Sequence, residues 1–306
     1  MLSWGRHYLM VEPNHFRVDY TINPFMHLDD QPDPLRAREQ WLALIAAIEA
    51  AGATVEVLPQ LPAAPDMVYA MNLGLALEEA DGLGSRVVLS HMRFPQRRME
   101  TPEADAWFAG HGVTRRSIGR DGVGAHFEAG DAFAWRGELV VGYGPRTEEL
   151  ALKHLATDLG VSVRGIRITN PGMYHMDIGF CPLDESRAMV CPAAYDEASA
   201  AALLALVPEP LVLTEEEGLA FCANSIVIGR TVVMPALRDG SSLASSGTTC
   251  PDRVRAQLEQ WGFEVVVVEV GEFLKGGGAV RCMTNPLDVR LGRDLASVPG
   301  GRVTLS

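Results

Sequence analysis

The chain has 306 residues, 47% of them hydrophobic and 21% charged, which is the composition of a folded protein with a sizeable core rather than of a disordered one. Its 26 basic and 39 acidic side chains leave a formal charge of −13, a balance that argues against sequence-independent binding to a phosphate backbone and favours cationic ligands. No apolar run reaches the ~18 residues of a membrane span and the first ten residues lack the apolar core of a leader, so a cytoplasmic protein is expected.

After a short first strand, segment 35–51 sets Trp41, Leu44, Ile45 and Ile48 on one helical face. Gly52 stops it, and the β-branched run 54–58 predicts a strand. The same phrase recurs at 103–111 with Gly112, and at 147–159 with Gly160 before a strand at 161–168. It returns at 196–207 with Pro208 before 211–213, and at 251–261 with Gly262 before 263–270. The five stops at 52, 112, 160, 208 and 262 are separated by 60, 48, 48 and 54 residues. Further strands are predicted at 86–89, 138–142, 187–190, 225–228 and 231–234. A helix with two or three strands, five times over, predicts a single α/β domain covering 1–306. It either closes into a ring whose strand ends converge on one axial site or lies open as a doubly wound sheet.

Cys181, Cys191, Cys222, Cys250 and Cys282 contain no C-x-x-C pair, so neither a disulfide framework nor a thiolate zinc site is expected. Cys282 stands shortly after Gly276, Gly277 and Gly278. Glycines allow close backbone approach at a crowded site, and a nucleophilic thiol takes its acid or base partner from elsewhere in the fold. His175 and Asp177 lie two apart in a turn after a strand; in an extended segment both would face one ligand. Glu128, beside a turn at Gly130, is placed to orient the histidine as the third member of a triad. The other histidines show no metal-ligand spacing, Gly122-Val-Gly124 falls short of a dinucleotide fingerprint, and there is no P-loop. Neither a metal nor a cofactor is expected.

Taken in order, Asn23-Pro-Phe-Met26, the segment 65–72 from Pro65-Asp66 to Asn72, Arg97-Arg98-Met-Glu100, Phe127-Glu128-Ala-Gly-Asp131, Gly142-Tyr-Gly-Pro-Arg146-Thr147, His175-Met-Asp177 and the glycine-rich approach to Cys282 resemble the guanidine-modifying amidinotransferase superfamily. Its members include arginine deiminases, dimethylarginine dimethylaminohydrolases, arginine dihydrolases and amidinotransferases. The resemblance spans nearly the whole chain and implies a five-bladed pseudo-symmetric α/β propeller, the pentein fold. By position it implies Cys282 as nucleophile, His175 as general acid and base, and Glu128 as the carboxylate that orients His175. Asp177 would grip the guanidinium, Arg97 and Arg146 would hold the substrate α-carboxylate, and Asp66 and Asn23 would line the pocket.

Position 72 is a carboxylate in deiminases and dimethylarginine hydrolases, whereas Asn72 resembles the arginine dihydrolases, which leave ornithine. The implied reaction is hydrolysis of arginine or a close derivative through an S-amidino cysteine, giving ornithine, carbon dioxide and ammonia. A citrulline-forming deiminase or dimethylaminohydrolase, an amidinotransferase, and an inactive ligand-binding propeller are the alternatives. The implied partner is a small cationic guanidino compound, with no nucleic acid or membrane; a homodimer is allowed.

Overall fold

Parallel strands need a crossover long enough to hold a helix, and the five helix-stop-strand phrases supply five of them. In the computed structural model, which describes residues 1–79, 84–120, 122–237, 243 and 250–305, α1 (Pro34–Ala50) carries the chain from His7–Val11 to the parallel strand Thr54–Leu58. In the same way α2 (Glu100–Gly110) joins Ser85–Leu89 to Thr114–Ser117, and α3 (Glu149–Leu159) joins Glu138–Tyr143 to Ser162–Arg167. Next, α4 (Glu197–Leu206) joins Arg187–Val190 to Glu209–Val212, and α5 (Asp252–Gln260) joins Thr231–Pro235 to Glu264–Val268.

Each of these pairs gains an antiparallel strand on its other side, so that five separate small sheets share one plan. Four take it from just upstream: Gly74–Glu78, Ala132–Trp135, Phe180–Pro182 and Ile226–Ile228. The first sheet takes it from far downstream, with Asn285–Pro286 pairing Leu9 with Asn285 and Tyr8 with Pro286. The C-terminal part of the chain therefore completes the sheet that the N-terminal part begins. Arg302–Leu305 adds a parallel fourth strand to the third sheet.

Local chemistry explains the boundaries. The Asp33 carboxylate caps α1 by accepting from the N–H groups of Leu35 and Arg36 at 2.9 and 3.0 Å, with Pro34 at the first helical position. Gly160 ends α3 at φ 64°, a left-handed conformation that L side chains avoid; Gly52, Gly112 and Gly262 also have positive φ. Along α1, Trp41, Leu44 and Ile48 are buried, but Ile45 is only half-buried. At 100° per residue it sits on the edge of the stripe, which Ala37 and Gln40 complete. Sequence periodicity missed the strand Ala132–Trp135 because all four of its residues are buried, and a strand covered on both faces shows no alternation.

Candidate active site

The chemically distinctive residues sit on the turns that precede or follow these strands and helices. Asp66 and Asn72 lie on consecutive 3-10 turns, Pro65–Val68 and Ala70–Leu73, that lead into Gly74–Glu78. Arg97 closes the turn Pro95–Arg97 ahead of α2, and Arg146 lies between Glu138–Tyr143 and α3. Glu128 precedes the turn Ala129–Asp131, and a backbone bridge between His91 and Phe127 anchors it. The segment around His175 and Asp177 is a turn, as expected, but a helical rather than an extended one. His175 caps the one-turn helix Met176–Gly179, with Asp177 inside its first turn, and Asp131 Oδ1 holds that turn by accepting from Met176 N at 2.9 Å.

These turns converge. Asn23, Asp66, Asn72, Arg97, Arg146, His175 and Cys282 line one narrow cavity together with Ile22, Tyr69, Tyr174 and the glycines 276–278. Glu128 and Asp177 stand directly behind it, bonded to His175 and Cys282. Gly277 has φ +87°, and a Cβ there would lie 2.5 Å from Asn23 Oδ1. A Cβ on Gly278 would lie 2.3 Å from the Tyr69 ring, so close backbone approach is what the glycine run provides.

His175 Nε2 is 2.8 Å from Glu128 Oε2. The same oxygen accepts from Arg146 Nη1 at 3.1 Å, while Glu128 Oε1 accepts from Arg93 N at 2.9 Å. Burial alone would raise the Glu128 pKa, but Arg146 and His175 outweigh it and hold the carboxyl well below the usual range. Cys282 Sγ lies 3.4 Å from Asp177 Oδ2. Burial, then the Asp177 charge, pushes this thiol well above its ordinary value. Burial also pushes Asp177 up to about 7 against the opposing Arg281, and Asp66 up to about 6 against Arg97. Asp177 Oδ1 and Asp66 Oδ1 are both buried without a hydrogen-bond partner. Carboxylate oxygens so placed are satisfied by a cation that brings its own donors.

Both arginines enter the cavity already paired. The Arg97 fork grips the fully buried Glu100, Nε to Oε1 at 2.8 Å and Nη2 to Oε2 at 2.7 Å, which leaves Nη1 for a ligand. Arg146 lies between the Phe94 and Tyr174 rings, at 4.8 and 4.5 Å from their centroids, and reaches the Ile22 carbonyl with Nη2 at 3.2 Å. Asn72 Oδ1 accepts from Gly130 N at 2.9 Å, which leaves its amide Nδ2 as the free donor.

Sequence reasoning missed three residues here. Glu100 stood in the Arg97-x-x-Glu100 string, whose i,i+3 spacing is the signal for the pair. Arg281 is buried beside the Trp4 and Phe133 rings, at 5.4 and 5.0 Å. Asn224 donates to Cys282 Sγ at 3.1 Å, and nothing around it in sequence marks it out. Two roomier depressions, one beside His91, Arg98 and Asp105 and the other beside Lys153 and Arg302, hold no cysteine. Among the described residues no cluster of His, Cys, Asp or Glu has the makings of a metal site, and no helix is long and apolar enough to cross a membrane.

An α/β scaffold that brings a thiol, an imidazole on a carboxylate, and partnerless carboxylate oxygens around one narrow cavity is of the guanidine-modifying hydrolase class. A family model described as eukaryotic N,N dimethylarginine dimethylhydrolase matches residues 12–289, and the chain belongs to this family. The N(G),N(G)-dimethylarginine dimethylaminohydrolase of Mycobacterium tuberculosis is 31% identical over 282 residues, covering 91% of this chain and 85% of that protein. The bifunctional arginine dihydrolase/ornithine cyclodeaminase ArgZ of a Synechocystis species is 33% identical over 285 residues, 90% of this chain but 37% of the relative. The crystal structure of the N-terminal domain of ArgZ bound to product, a cyanobacterial arginine dihydrolase, superposes with a TM-score of 0.81 at 30% identity and covers 93% of this chain and 98% of that one.

Proposed function

We propose that the chain is a single catalytic domain that hydrolyses arginine at its guanidino carbon twice, giving ornithine, carbon dioxide and two molecules of ammonia. The five sheets are read as blades of one closed propeller; the completion of the first sheet by Asn285–Pro286 supports this. Asn72 carries the choice of product. A second carboxylate at this position would favour a guanidinium and release the neutral ureido group after one hydrolysis. Asn72, with Oδ1 fixed by Gly130 N, turns an N–H donor toward the ligand, and a ureido oxygen accepts from such a donor. The ureido group is thereby kept for a second attack.

The cationic substrate sits with its guanidinium against Asp177, and its charge offsets the burial and the Asp177 charge that hold the Cys282 thiol neutral. The thiolate adds to the guanidino carbon, the C–N bond breaks, and His175 protonates the departing ammonia. An S-amidino enzyme remains. His175 then takes a proton from water, hydroxide adds to the same carbon, and the C–S bond breaks to restore the thiolate and give citrulline. In a second round Cys282 attacks the ureido carbon, ammonia leaves, and hydrolysis of the thiocarbamate gives a carbamate that loses carbon dioxide. Glu128 orients His175 and stabilises its imidazolium form across the 2.8 Å contact. The remaining nitrogens, Arg97 Nη1 and Arg146 Nε, take the α-carboxylate.

The test is product identification by mass spectrometry with ammonia quantified, for arginine, methylarginines and agmatine. Arginine yields ornithine with two ammonia per turnover, and Asn72→Asp shifts the product toward citrulline with one. If wild-type protein releases only citrulline from arginine, the dihydrolase reading fails. Hydrolysis of methylated arginines to citrulline is the second reading, favoured by the description of the matching family and by the mycobacterial relative; citrulline and a methylamine formed from methylarginines, with arginine untouched, would establish it.

A further inference from the structure

We propose that Asn224 is the positioning residue of the nucleophile: its side-chain amide fixes the backbone that carries Cys282 and donates the N–H that stabilises the thiolate. Asn224 is fully buried. Its Oδ1 accepts from the backbone N–H groups of Arg281 and Cys282 at 3.0 and 3.3 Å. Its Nδ2 donates to Cys282 Sγ at 3.1 Å and to the carbonyl of Asp177 at 3.0 Å. One side chain thus ties together the nucleophile's main chain, its sulfur and the residue assigned to the guanidinium. Because the oxygen is committed to two N–H donors, the amide cannot flip, and a donor always faces the sulfur.

The turn that presents Asn224 supports a role beyond filling space. Phe221, three residues earlier, has φ 63°, a left-handed conformation that bulky side chains rarely adopt and that is found where surroundings hold it in place. Its carbonyl accepts from Asn224 N at 2.9 Å, so the strained turn sets the height of the amide beneath Cys282. The other groups that face this sulfur make such a donor necessary. Asp177 Oδ2 lies 3.4 Å away and opposes a second negative charge. Tyr69 and Tyr174 flank the cavity as neutral phenols, each raised by burial. Arg281 is the cation next in sequence, but its own charge is spent largely on Asp177 and the rings beside it. His175 is held by Glu128 on the other wall. Asn224 is therefore the neutral side-chain donor to the sulfur, acting beside the Ala279 backbone N–H that also lowers the thiol pKa, and an N–H to an anionic acceptor is the stronger kind of hydrogen bond.

The inference rests on Cys282 being the nucleophile, and the experiment separates the two. Asn224→Asp keeps the shape and an oxygen for the two backbone N–H groups, but replaces the donor at sulfur with a second anion. The pH dependence of iodoacetamide alkylation at Cys282, followed on the Cys282 peptide between pH 6 and 10.5, reads the thiolate directly. Alkylation of Asn224→Asp at pH 8 is expected to be at least tenfold slower than wild type, with the gap closing toward pH 10.5. Its kcat for arginine is expected to fall at least 50-fold in protein shown by its melting curve to be folded. An alkylation profile that overlays wild type in folded Asn224→Asp overturns the role assigned to Asn224. In Asn224→Ala, slower alkylation in the folded protein supports it, and reduced melting temperature with an unchanged profile marks a purely structural residue and overturns it. Turnover retained in Cys282→Ser would instead overturn the nucleophile assignment itself.

Discussion

Glu128→Gln is the substitution whose consequences the geometry specifies most fully. The carboxylate is fully buried and accepts three bonds, from Arg93 N at 2.9 Å, Arg146 Nη1 at 3.1 Å and His175 Nε2 at 2.8 Å. Glutamine keeps the shape and an oxygen for Arg93, but turns an NH₂ group toward Arg146 and His175, so two charge-assisted bonds become donor-to-donor contacts. At about 1.5–3 kcal/mol each, the folded state loses roughly 3–6 kcal/mol. The share that falls on the imidazolium, one bond, lowers kcat by ~10- to 150-fold. Loosening Arg146 adds a rise in KM for substrates with an α-carboxylate and none for agmatine. Steady-state ammonia release from arginine and agmatine, measured on protein shown to be folded by its melting curve, checks both parts. A folded Glu128→Gln enzyme with kcat within threefold of wild type would refute the orientation of His175 by Glu128.

Cys282→Ser folds but loses turnover, because an alcohol of far higher pKa supplies no anion at neutral pH, and His175→Asn blocks both half-reactions; activity within tenfold of wild type in either would remove that residue from the mechanism. Arg97→Ala strands Glu100 in the interior, and breaking a buried pair costs about 3–5 kcal/mol; urea unfolding should show the loss and its partial recovery in Arg97→Ala/Glu100→Gln, whose kcat/KM then falls more for arginine than for agmatine. Burial holds Asp66 at about 6 and Glu100 and Asp177 at about 7. A carboxyl raised in the folded state binds its proton more tightly there than in the unfolded chain, so stability falls as pH rises from the ordinary value near 4 to those values. Depression of the Glu128 pKa matters only below that window. The melting temperature of empty Cys282→Ser should therefore drop between pH 5 and pH 8, and saturating arginine should raise it more at pH 8; equal ligand shifts at both would contradict the charge account.

Much of the architecture was legible because it repeats. Helix stripes ending at Gly52, Gly112, Gly160, Pro208 and Gly262 mark five crossovers, and each is present as a helix leading into a parallel strand. What periodicity could not see were strands covered on both faces, Gly74–Glu78 and Ala132–Trp135, and the two-residue Asn285–Pro286, whose pairing with Tyr8 and Leu9 spans almost the whole chain. For the cavity, motif order located the residues that meet at its walls, although each string alone was ambiguous. The partners of those residues were harder to read. Glu100 stands in the Arg97-Arg98-Met-Glu100 string with the spacing of an ordinary surface charge pair, yet it is fully buried. Asn224 carries no local signature, because its function comes from a turn that only the fold brings under Cys282. The turn expected at His175-Met-Asp177 is helical rather than extended, and the Asp131 bond to Met176 N favours that form.

Covalent attack of Cys282 on the guanidino carbon is tested by acid quench of the enzyme during turnover of arginine, followed by intact mass and peptide mapping. An added mass of arginine less ammonia is expected, carried by the Cys282 peptide and absent from Cys282→Ser. Full turnover with no adduct trapped at any quench time, or an adduct mapped to Cys181, Cys191, Cys222 or Cys250, would contradict it.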